Sequence, residues 1–295
     1  SATEKYSGGW RRWKSFAVQQ NLQVFPVKRT ELALYIEHLS SSASSSSPID
    51  TAIYSIRWAH HLAAFPSPTE DRFVMLVAEG CRRKLAKPKS PISPEVLQKL
   101  VQDRGKVDAS TSDIRLLFLC LVSFAAMLRC EEAISLRVRD IVFAHDHMAV
   151  YVPKRKNDQY RQGHTVYIAR TGQPTCPVAM TERYIDMLGV SHTPSHPLAC
   201  RLRHSKQGLK PCDKAISYTT ARELIVKGLS PYVEDPNAIG THSLRSGGAS
   251  QAASGDAVNE RCIMRQGGWK SVSSKDMYIQ DSITNKLSVS RAMKL

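Results

Sequence analysis

Apolar residues near the start of the chain recur with the spacing of an amphipathic helix. Trp10, Trp13 and Phe16 lie three residues apart with basic residues between them, which predicts an aromatic stripe that faces a core. The pair Gly8-Gly9 weakens this helix and predicts a break near its start. Further helices are predicted over residues 29–39, around 53–60 and over 69–85. Residues 1 to about 90 are therefore predicted to form an all-helical region.

A change of composition separates this region from the rest of the chain. Between residues 84 and 94, lysines alternate with prolines, which is typical of an extended, cationic linker. Ser93 and Pro94 then match an N-cap followed by a first helical residue, so a second domain is predicted to begin there. The predicted organisation is a helical domain over residues 1–86, a basic linker over 87–93 and a second domain over 94–295.

The second domain mixes helical and strand patterns. Residues 113–128 are apolar on nearly all sides, which predicts a helix buried in the core. Residues 148–152 and 164–168 instead alternate with a period of two, which predicts the two strands of a hairpin with a basic turn. Helices are predicted again over 177–188 and 217–229. The predicted fold class is therefore mainly α with a small antiparallel β-sheet.

An irregular loop with scattered histidines and cysteines is predicted between the last two helices. Its candidate metal ligands are His192, His196, Cys200, His204 and Cys212. A zinc site usually contains closely spaced pairs of ligands, and this spacing matches no such pair. Ordinary loop residues are therefore favoured, and no metal site is predicted.

The charge of the chain predicts a polyanionic partner. Of the 295 residues, 41 are Lys or Arg and 26 are Asp or Glu, which gives a formal net charge of +15. Nucleic acid is favoured over an anionic membrane surface. The longest apolar run, 116–128, is too short to span a bilayer and contains Ser123. No signal-peptide pattern is expected, and seven scattered cysteines favour reduced thiols inside a cell.

The stretch from Thr241 to Tyr278 carries the candidate chemistry. His242 and Arg245 lie three residues apart, so a helix would place them on one face, with Thr241 as its N-cap. The N–H groups at such a helix start and the planar guanidinium together favour an anion such as phosphate. Trp269 adds an indole donor, and the phenol of Tyr278 beside a bound phosphate is a candidate nucleophile.

A second candidate group lies at the end of the predicted buried helix. Arg129 follows residues 113–128 directly, and burial of an unpaired guanidinium would be costly. Glu132, three residues further on, could hold that guanidinium in an ion pair. A helix-end ion pair with no functional role is the alternative, and the presence of Tyr278 favours the functional interpretation.

The order of these residues resembles the catalytic signature of the tyrosine recombinases, the phage-integrase family. The His and Arg of HSLRSGGAS, a Trp preceded by two glycines and a Tyr nine residues later match its C-terminal catalytic box. The run that starts at Arg129 matches its first arginine box, and Lys156 in the basic turn matches its lysine, with Lys154 as the alternative. The resemblance implies that the catalytic residues are Arg129, Lys156, His242, Arg245, Trp269 and Tyr278, supported by Glu132.

The segment HSLRSGGAS and the Lys-Asn-Asp turn resemble a eukaryotic mobile-element branch of the family most. The resemblance implies a helical DNA-binding domain followed by a mixed α/β catalytic domain. It implies a site-specific recombinase or integrase that cuts and rejoins DNA through a 3′-phosphotyrosine, without metal, nucleotide or other cofactor. Double-stranded DNA is the implied partner, inside a cell: in the nucleus if the source is eukaryotic, or in the cytoplasm or nucleoid if it is bacterial. The implied assembly is a dimer on one site and a tetramer on two. The residues expected to contact DNA are Arg11, Arg12, Lys14, Arg57, Lys87, Lys89, Lys154, Arg155 and Arg161.

Two other functions are compatible with these residues. A type IB topoisomerase relaxes DNA with nearly the same catalytic groups and needs no partner subunits. A domesticated DNA-binding protein would keep the fold but lose cleavage. The presence of every expected catalytic residue argues against the second alternative.

The residues after the candidate nucleophile predict a tail helix. Ile279, Ile283 and Leu287 recur every four residues, which predicts an apolar stripe on a short helix within 282–295. The resemblance implies that this helix docks on a neighbouring subunit. Packing onto the core of its own chain is the alternative.

Overall fold

The structure is a computed structural model that describes residues 2–85, 89–155, 163–205, 208–255, 258–281, 286–287, 290–291 and 293. The chain divides into two compact units, Ser1–Pro88 and Lys89–Leu295. Each unit has an apolar core of its own. The predicted fold class, mainly α with small antiparallel sheets, is confirmed.

The described part of the first unit is a bundle of helices. These helices are α1 (Ala2–Gln19), α2 (Arg29–Ser42), α3 (Ser47–Leu62) and α4 (Arg72–Leu85). The aromatic stripe of α1 directs Trp13 into the core, where its indole N–H donates to the carbonyl of Val24 at 2.9 Å. Apolar side chains of α2, α3 and α4 complete this core. Burial of side chains of this size contributes roughly 1.5–3 kcal/mol each before the entropy of ordering is subtracted.

Helix α1 continues through Gly8-Gly9, so the predicted break is wrong. Gly9 lies against α3, and a Cβ added to it would be only 2.0 Å from Ser55 Oγ. The lack of a side chain therefore allows α1 and α3 to pack closely. This packing offsets the low intrinsic helix propensity of glycine.

The second unit begins with α5 (Pro94–Arg104) and the buried helix α6 (Thr111–Ala125). Helix α5 has Ser93 at its N-cap and Pro94 at its first position, as the sequence predicts. Helix α6 ends at Ala125, short of the predicted residue 128, because Met127 has a left-handed φ of +49° and the chain turns there. Arg129 therefore does not extend α6. It is instead the N-cap of a separate short helix, α7 (Cys130–Ser135).

A three-stranded antiparallel sheet follows α7. It consists of β1 (Ile141–Phe143), β2 (His147–Val152) and β3 (His164–Ala169). The two predicted strands correspond to β2 and β3. They pair with each other, and Val150 of β2 lies opposite Val166 of β3. The sequence does not predict β1, because three residues are too few to display a period of two. The tip of the basic turn, residues 156–162, lies outside the described residues.

Two helices and an unpredicted hairpin come next. Helices α8 (Pro177–Leu188) and α9 (Tyr218–Leu229) match the predicted ones closely. The segment between them was expected to be an irregular loop, but it contains an antiparallel pair, β4 (Cys200–Ser205) and β5 (Gly208–Ala215). The charged side chains of this hairpin and its proline, Pro211, disguise the strand pattern.

The part of the chain that the structure describes contains neither a metal-binding cluster nor a membrane-spanning helix. No group of three or more His, Cys, Asp and Glu residues in it could hold a metal ion. No helix in it is long and apolar enough to cross a membrane. His196, one of the candidate zinc ligands, has its Nδ1 at 2.9 Å from the carbonyl oxygen of Pro197.

The last part of the fold carries most of the candidate site. It contains α10 (Ser243–Ala253), α11 (Glu260–Gly267) and α12 (Val272–Asp276). The N-cap of α10 is His242 and not Thr241 as predicted. The Thr241 hydroxyl instead lies 3.1 Å from the hydroxyl of Tyr218 on α9.

The two glycines of HSLRSGGAS bring α10 against its neighbours. A Cβ added to Gly248 would be 2.1 Å from the carbonyl oxygen of Phe124 on α6, and one added to Gly247 would be 2.0 Å from that of Ile92. Only glycine allows this approach. The end of α6, and with it Arg129, is thereby placed beside the helix that carries Arg245.

Candidate active site

Glu132 holds Arg129 at the start of α7. The Glu132 carboxylate accepts a hydrogen bond from the Arg129 main-chain N–H at 2.9 Å and another from Arg129 Nη1 at 2.7 Å. Glu132 is buried and Arg129 is largely shielded from solvent. Hydrogen bonds between ionised groups are stronger than neutral ones, so Glu132 fixes the direction of the guanidinium. The predicted ion pair is present in the fold.

Arg245 is the centre of the site and is fully buried, with 0% of its surface exposed. Its Nη1 donates to the carbonyl of Met127, and its Nη2 donates to the carbonyl of Gly267 at 2.8 Å. Its Cζ lies 4.3 Å from the centre of the Trp269 ring and 4.9 Å from that of Tyr278. Such contacts between a cation and aromatic faces are favourable.

Burial, with a smaller contribution from the nearby positive charge of Arg129, lowers the pKa of Arg245 to about 10. The Glu132 carboxylate opposes this shift. A pKa of about 10 still leaves the guanidinium protonated at neutral pH. The site therefore holds two buried or shielded positive charges, which favours an anionic ligand.

Tyr278 is docked onto the helix that carries Arg245. The main-chain carbonyl of Tyr278 accepts hydrogen bonds from Ser246 Oγ and, at 3.4 Å, from Ser250 Oγ. Its ring centre is 6.0 Å from that of His242 and 5.4 Å from that of Trp269. His242, Arg245, Trp269 and Tyr278 are thus brought together within one chain.

A buried lysine fixes the short helix that precedes Tyr278. Lys275 on α12 is bonded through its Nζ to Glu260 at the start of α11, and also lies 3.1 Å from Asp276 Oδ1. The bond to Glu260 raises the pKa of Lys275, and burial opposes this shift. Sequence reasoning missed this contact and the two serines, although the four-residue spacing of Ser246 and Ser250 could have indicated a shared helix face.

Arg129, His242, Trp269 and Tyr278 line a cleft of about 580 Å³. Trp269 is only 6% exposed, and among the described residues its buried indole N–H has no hydrogen-bond partner. An unpaired buried donor is costly, so the indole is set to donate to a ligand. The cleft is lined by Arg129, Cys130, Glu131, Tyr218, Thr241, His242, Trp269, Ser274, Met277 and Tyr278.

Cys130 is a second potential nucleophile in this cleft. Burial, with a smaller effect from Glu131, raises the pKa of its thiol to about 11. The thiol is therefore protonated at neutral pH, and only the thiolate is strongly nucleophilic. Cys130 is thus a poor competitor for Tyr278.

The residues of the basic turn are placed in different ways. Lys156, the predicted general acid, lies outside the described residues, and so does Arg161. Lys154 is exposed just after β2. Arg155, which was expected to contact DNA, is buried. This burial follows from its contacts with the turn after α11, which a sequence pattern does not reveal.

The other residues expected to contact DNA are mostly on the surface of their units. Arg11, Arg12 and Lys14 are exposed on α1. Arg57 is partly buried, and its Nε donates to Thr69 Oγ1 at 3.1 Å. Lys89 is exposed and its Nζ donates to the carbonyl of Asn237 at 2.6 Å, while Lys87 lies outside the described residues. The DNA contacts of all these residues stay predictions.

Two known proteins that resemble this chain are recombinases. No family model matches it. The chain is 24% identical over 284 residues to the integrase/recombinase xerD homolog of Selenomonas ruminantium, a match that covers 93% of this chain and 80% of that protein. It is 22% identical over 289 residues to recombinase Cre of Escherichia phage P1, which covers 92% of this chain and 81% of that protein.

The fold is also that of a solved integrase. The chain superposes on the Tn1549 transposon integrase in complex with transposon right end DNA with a TM-score of 0.62. The match covers 98% of this chain and 93% of that chain, at 12% identity. At this level of identity the likeness concerns the fold.

Proposed function

We infer that this chain, which belongs to the tyrosine recombinase family, cuts and rejoins DNA at specific sites through a covalent bond between Tyr278 and a 3′-phosphate. The observation that carries this proposal is that Arg129, His242, Trp269 and Tyr278 line one cleft, with the buried Arg245 guanidinium packed against the Trp269 and Tyr278 rings. The recombinase relatives support the same reaction class.

The charges of the cleft fit the transition state of phosphodiester cleavage. A phosphodiester has one negative charge, and attack on phosphorus builds further charge on its non-bridging oxygens. Arg129 and Arg245 would stabilise this charge, and the unpaired Trp269 indole N–H would donate to one of the same oxygens. Groups already oriented by protein contacts, as both guanidinium groups are, need little reorganisation during the reaction.

Attack by the Tyr278 oxygen on phosphorus would form the phosphotyrosyl bond, with loss of the phenol proton to solvent, and would break the bond between phosphorus and the 5′-oxygen, which leaves as a 5′-hydroxyl. The leaving oxygen needs a proton, and Lys156 is the proposed general acid. The phosphotyrosyl ester keeps the energy of the broken bond. A 5′-hydroxyl from another strand could therefore reverse the step without ATP, which is the chemistry of strand exchange.

The test is direct capture of the covalent intermediate. A duplex selected from a random pool by binding to the full chain would be nicked at successive positions, so that the cleaved fragment diffuses away and the adduct accumulates. We expect a protein–DNA band on a denaturing gel, formed equally well in excess EDTA. A requirement for Mg²⁺ would contradict the proposal and indicate a two-metal mechanism.

Lys156→Ala is expected to slow cleavage of ordinary DNA by about 10²–10⁴-fold, the usual contribution of a general acid. A substrate with a 5′-phosphorothiolate should restore most of the rate, because a thiolate leaves without a proton. Lys154→Ala is the matched control and should show no such rescue. If only Lys154→Ala is rescued, the general acid is Lys154.

We propose that the protein assembles as a dimer on one site and a tetramer on two, with the tail as a link between subunits. Ile279 packs in its own chain, against a small cluster that includes Trp269 and Met127. Leu287 is 41% exposed, and Ile283 lies outside the described residues. The predicted apolar stripe is thus divided: Ile279 packs against the cluster that includes Trp269, whereas Leu287 is exposed.

Deletion of residues 283–295 is expected to leave binding to a single site near normal and to weaken assembly on DNA with two sites. The deletion spares Ile279, so the packing beside Trp269 is kept. Sedimentation and native gels on one-site and two-site DNA would measure both properties. Unchanged assembly with a less stable monomer would show that the tail packs on its own chain, and would favour topoisomerase-like relaxation.

A further inference from the structure

Arg155 is a third arginine beside the site, and its side chain is only 7% exposed. Its Nη2 donates to the carbonyl of Gln266 at 3.4 Å. Its Nε and Nη1 are buried and have no hydrogen-bond partner within the described ranges. A buried guanidinium with unpaired donors is costly, so packing alone does not account for its place.

The guanidinium lies directly against the backbone of the turn after α11. Gly268 in this turn has a left-handed φ of +68°, and a Cβ added to it would be 1.6 Å from Arg155 Nη1. No residue other than glycine could occupy this position without displacing Arg155. Trp269, the next residue, packs back over Gly267, where an added Cβ would be 1.9 Å from the indole ring.

Two arginines bind neighbouring carbonyls at the C-terminal end of α11. Arg155 Nη2 donates to the carbonyl of Gln266 at 3.4 Å, and Arg245 Nη2 donates to that of Gly267 at 2.8 Å. The last carbonyls of a helix lack partners within the helix and carry partial negative charge. The two guanidinium groups therefore both hold the start of the Trp269 turn.

The sheet is fastened to the same helix end by further bonds. His164 Nε2 lies 2.9 Å from the carbonyl oxygen of Arg265, and Gln266 Nε2 donates to the carbonyl of Tyr167 at 3.2 Å. Both partners are on β3, whereas Arg155 follows β2. Arg155 is thus the contact that joins the β2 side of the hairpin to this turn.

The charge of Arg155 is also felt in the site. Burial lowers its pKa, the Glu132 carboxylate opposes that shift, and the Arg129 charge adds to it. Arg155 in turn contributes to the lowered pKa of Arg245. The charges of Arg129, Arg155 and Arg245 therefore act on one another, with the buried Glu132 carboxylate opposing them, and an incoming phosphate would relieve this excess of positive charge.

We propose that Arg155 is a positioning residue for cleavage, which clamps the Gly268 turn and so sets the place of the Trp269 indole beside Arg245 and Tyr278. The proposal rests on the proposed function, because it assumes that Trp269 donates to the phosphate under attack. It replaces the expectation that Arg155 itself contacts DNA.

Arg155→Met should lower the rate of covalent attachment by about 10–10²-fold, since displacement of a group by about 1 Å can cost this much. Affinity for uncleaved duplex should stay within about twofold of the unmodified protein, and the salt dependence of binding should not change, because the proposal gives Arg155 a contact with the Gly268 turn and none with a phosphate. Arg170→Met is the matched control. Arg170 is paired with Glu182 beyond the other end of β3, so the variant loses the same charge away from the site.

A second pair of variants tests the same contact if Arg155→Met folds poorly. Gly268→Ala inserts a methyl group at the Arg155 contact, and Gly189→Ala is its control. Gly189 also ends a helix with a left-handed φ, of +64°, but an added Cβ there meets nothing within 4 Å. Both variants therefore carry the backbone strain, and only Gly268→Ala should slow cleavage. In a chain that already carries Arg155→Met, Gly268→Ala should cause little further loss of cleavage rate.

The route of the effect is tested with Trp269→Phe and with the 5′-phosphorothiolate substrate. If Arg155 acts through the indole, the double variant should cleave little more slowly than Trp269→Phe alone. The 5′-phosphorothiolate substrate should not restore the cleavage rate of Arg155→Met. Rescue by the thiolate, full additivity with Trp269→Phe, or a weaker salt dependence of binding would each overturn the proposal. Absence of a covalent band from the unmodified chain would instead overturn the proposed function.

Discussion

Replacement of Tyr278 by phenylalanine is expected to abolish covalent attachment to DNA while DNA binding is retained. The change removes only the nucleophilic oxygen, and the ring contacts with Trp269 and Arg245 are kept. The loss should be complete because the Cys130 thiol is held protonated and the Tyr218 hydroxyl is hydrogen-bonded to the Thr241 hydroxyl. The measurement is the covalent band on a denaturing gel with the nicked duplex.

The control for this prediction is the other tyrosine of the cleft. Tyr218 also lines the cleft, and its hydroxyl lies 3.1 Å from the Thr241 hydroxyl. Tyr218→Phe should still form the covalent complex. A covalent band that persists in Tyr278→Phe, or that disappears only in Tyr218→Phe, would show that the nucleophile has been assigned to the wrong residue.

Arg245→Lys is expected to reduce the cleavage rate by about 10²–10³-fold or more, as removal of an oriented transition-state donor commonly does. Lysine keeps a positive charge but lacks the planar fork. It cannot bind the carbonyls of Met127 and Gly267 together while lying over the Trp269 ring. A carbonyl left buried without a partner would also cost about 1–3 kcal/mol of stability. Single-turnover rates and thermal unfolding would measure the two effects separately.

Arg115→Lys separates the catalytic effect from damage to the core. Arg115 on α6 is 9% exposed, and its Nη1 donates to the carbonyl of Cys200 at 2.8 Å. Its replacement should destabilise the same unit but leave the cleavage rate of folded molecules unchanged. Cleavage by Arg245→Lys within about tenfold of the unmodified rate would be too small a loss for a transition-state donor.

The sequence was most informative where chemistry and helical spacing coincide. Arg129 and Glu132 lie three residues apart, and the structure joins them through two hydrogen bonds. His242, Arg245, Trp269 and Tyr278 stand out by their order in the chain. The fold places His242, Trp269 and Tyr278 in one cleft and buries Arg245 against the rings of the last two. Residue type and spacing can reveal such sets because each member has a chemical role that few other residues can fill.

Contacts that depend on distant backbone could not be predicted in this way. Arg155 has the sequence context of an exposed basic turn, and its burial arises from a glycine more than a hundred residues later. The end of α6 was misplaced because the left-handed Met127 leaves no mark in an apolar run. The β4 and β5 hairpin is not predicted because charged residues and Pro211 interrupt its alternation of apolar and polar residues.

The hydrogen bonds from Ser246 and Ser250 to the Tyr278 carbonyl have a genetic consequence. They dock the tyrosine on the arginine-bearing helix of its own polypeptide, so every copy would carry a self-sufficient cutting centre. Two defective alleles, one without the tyrosine and one without the arginine, should then fail to complement each other when expressed together. In mixed assemblies each defective copy would leave its own strand uncut, so an inactive allele would act as a dose-dependent poison of the active one.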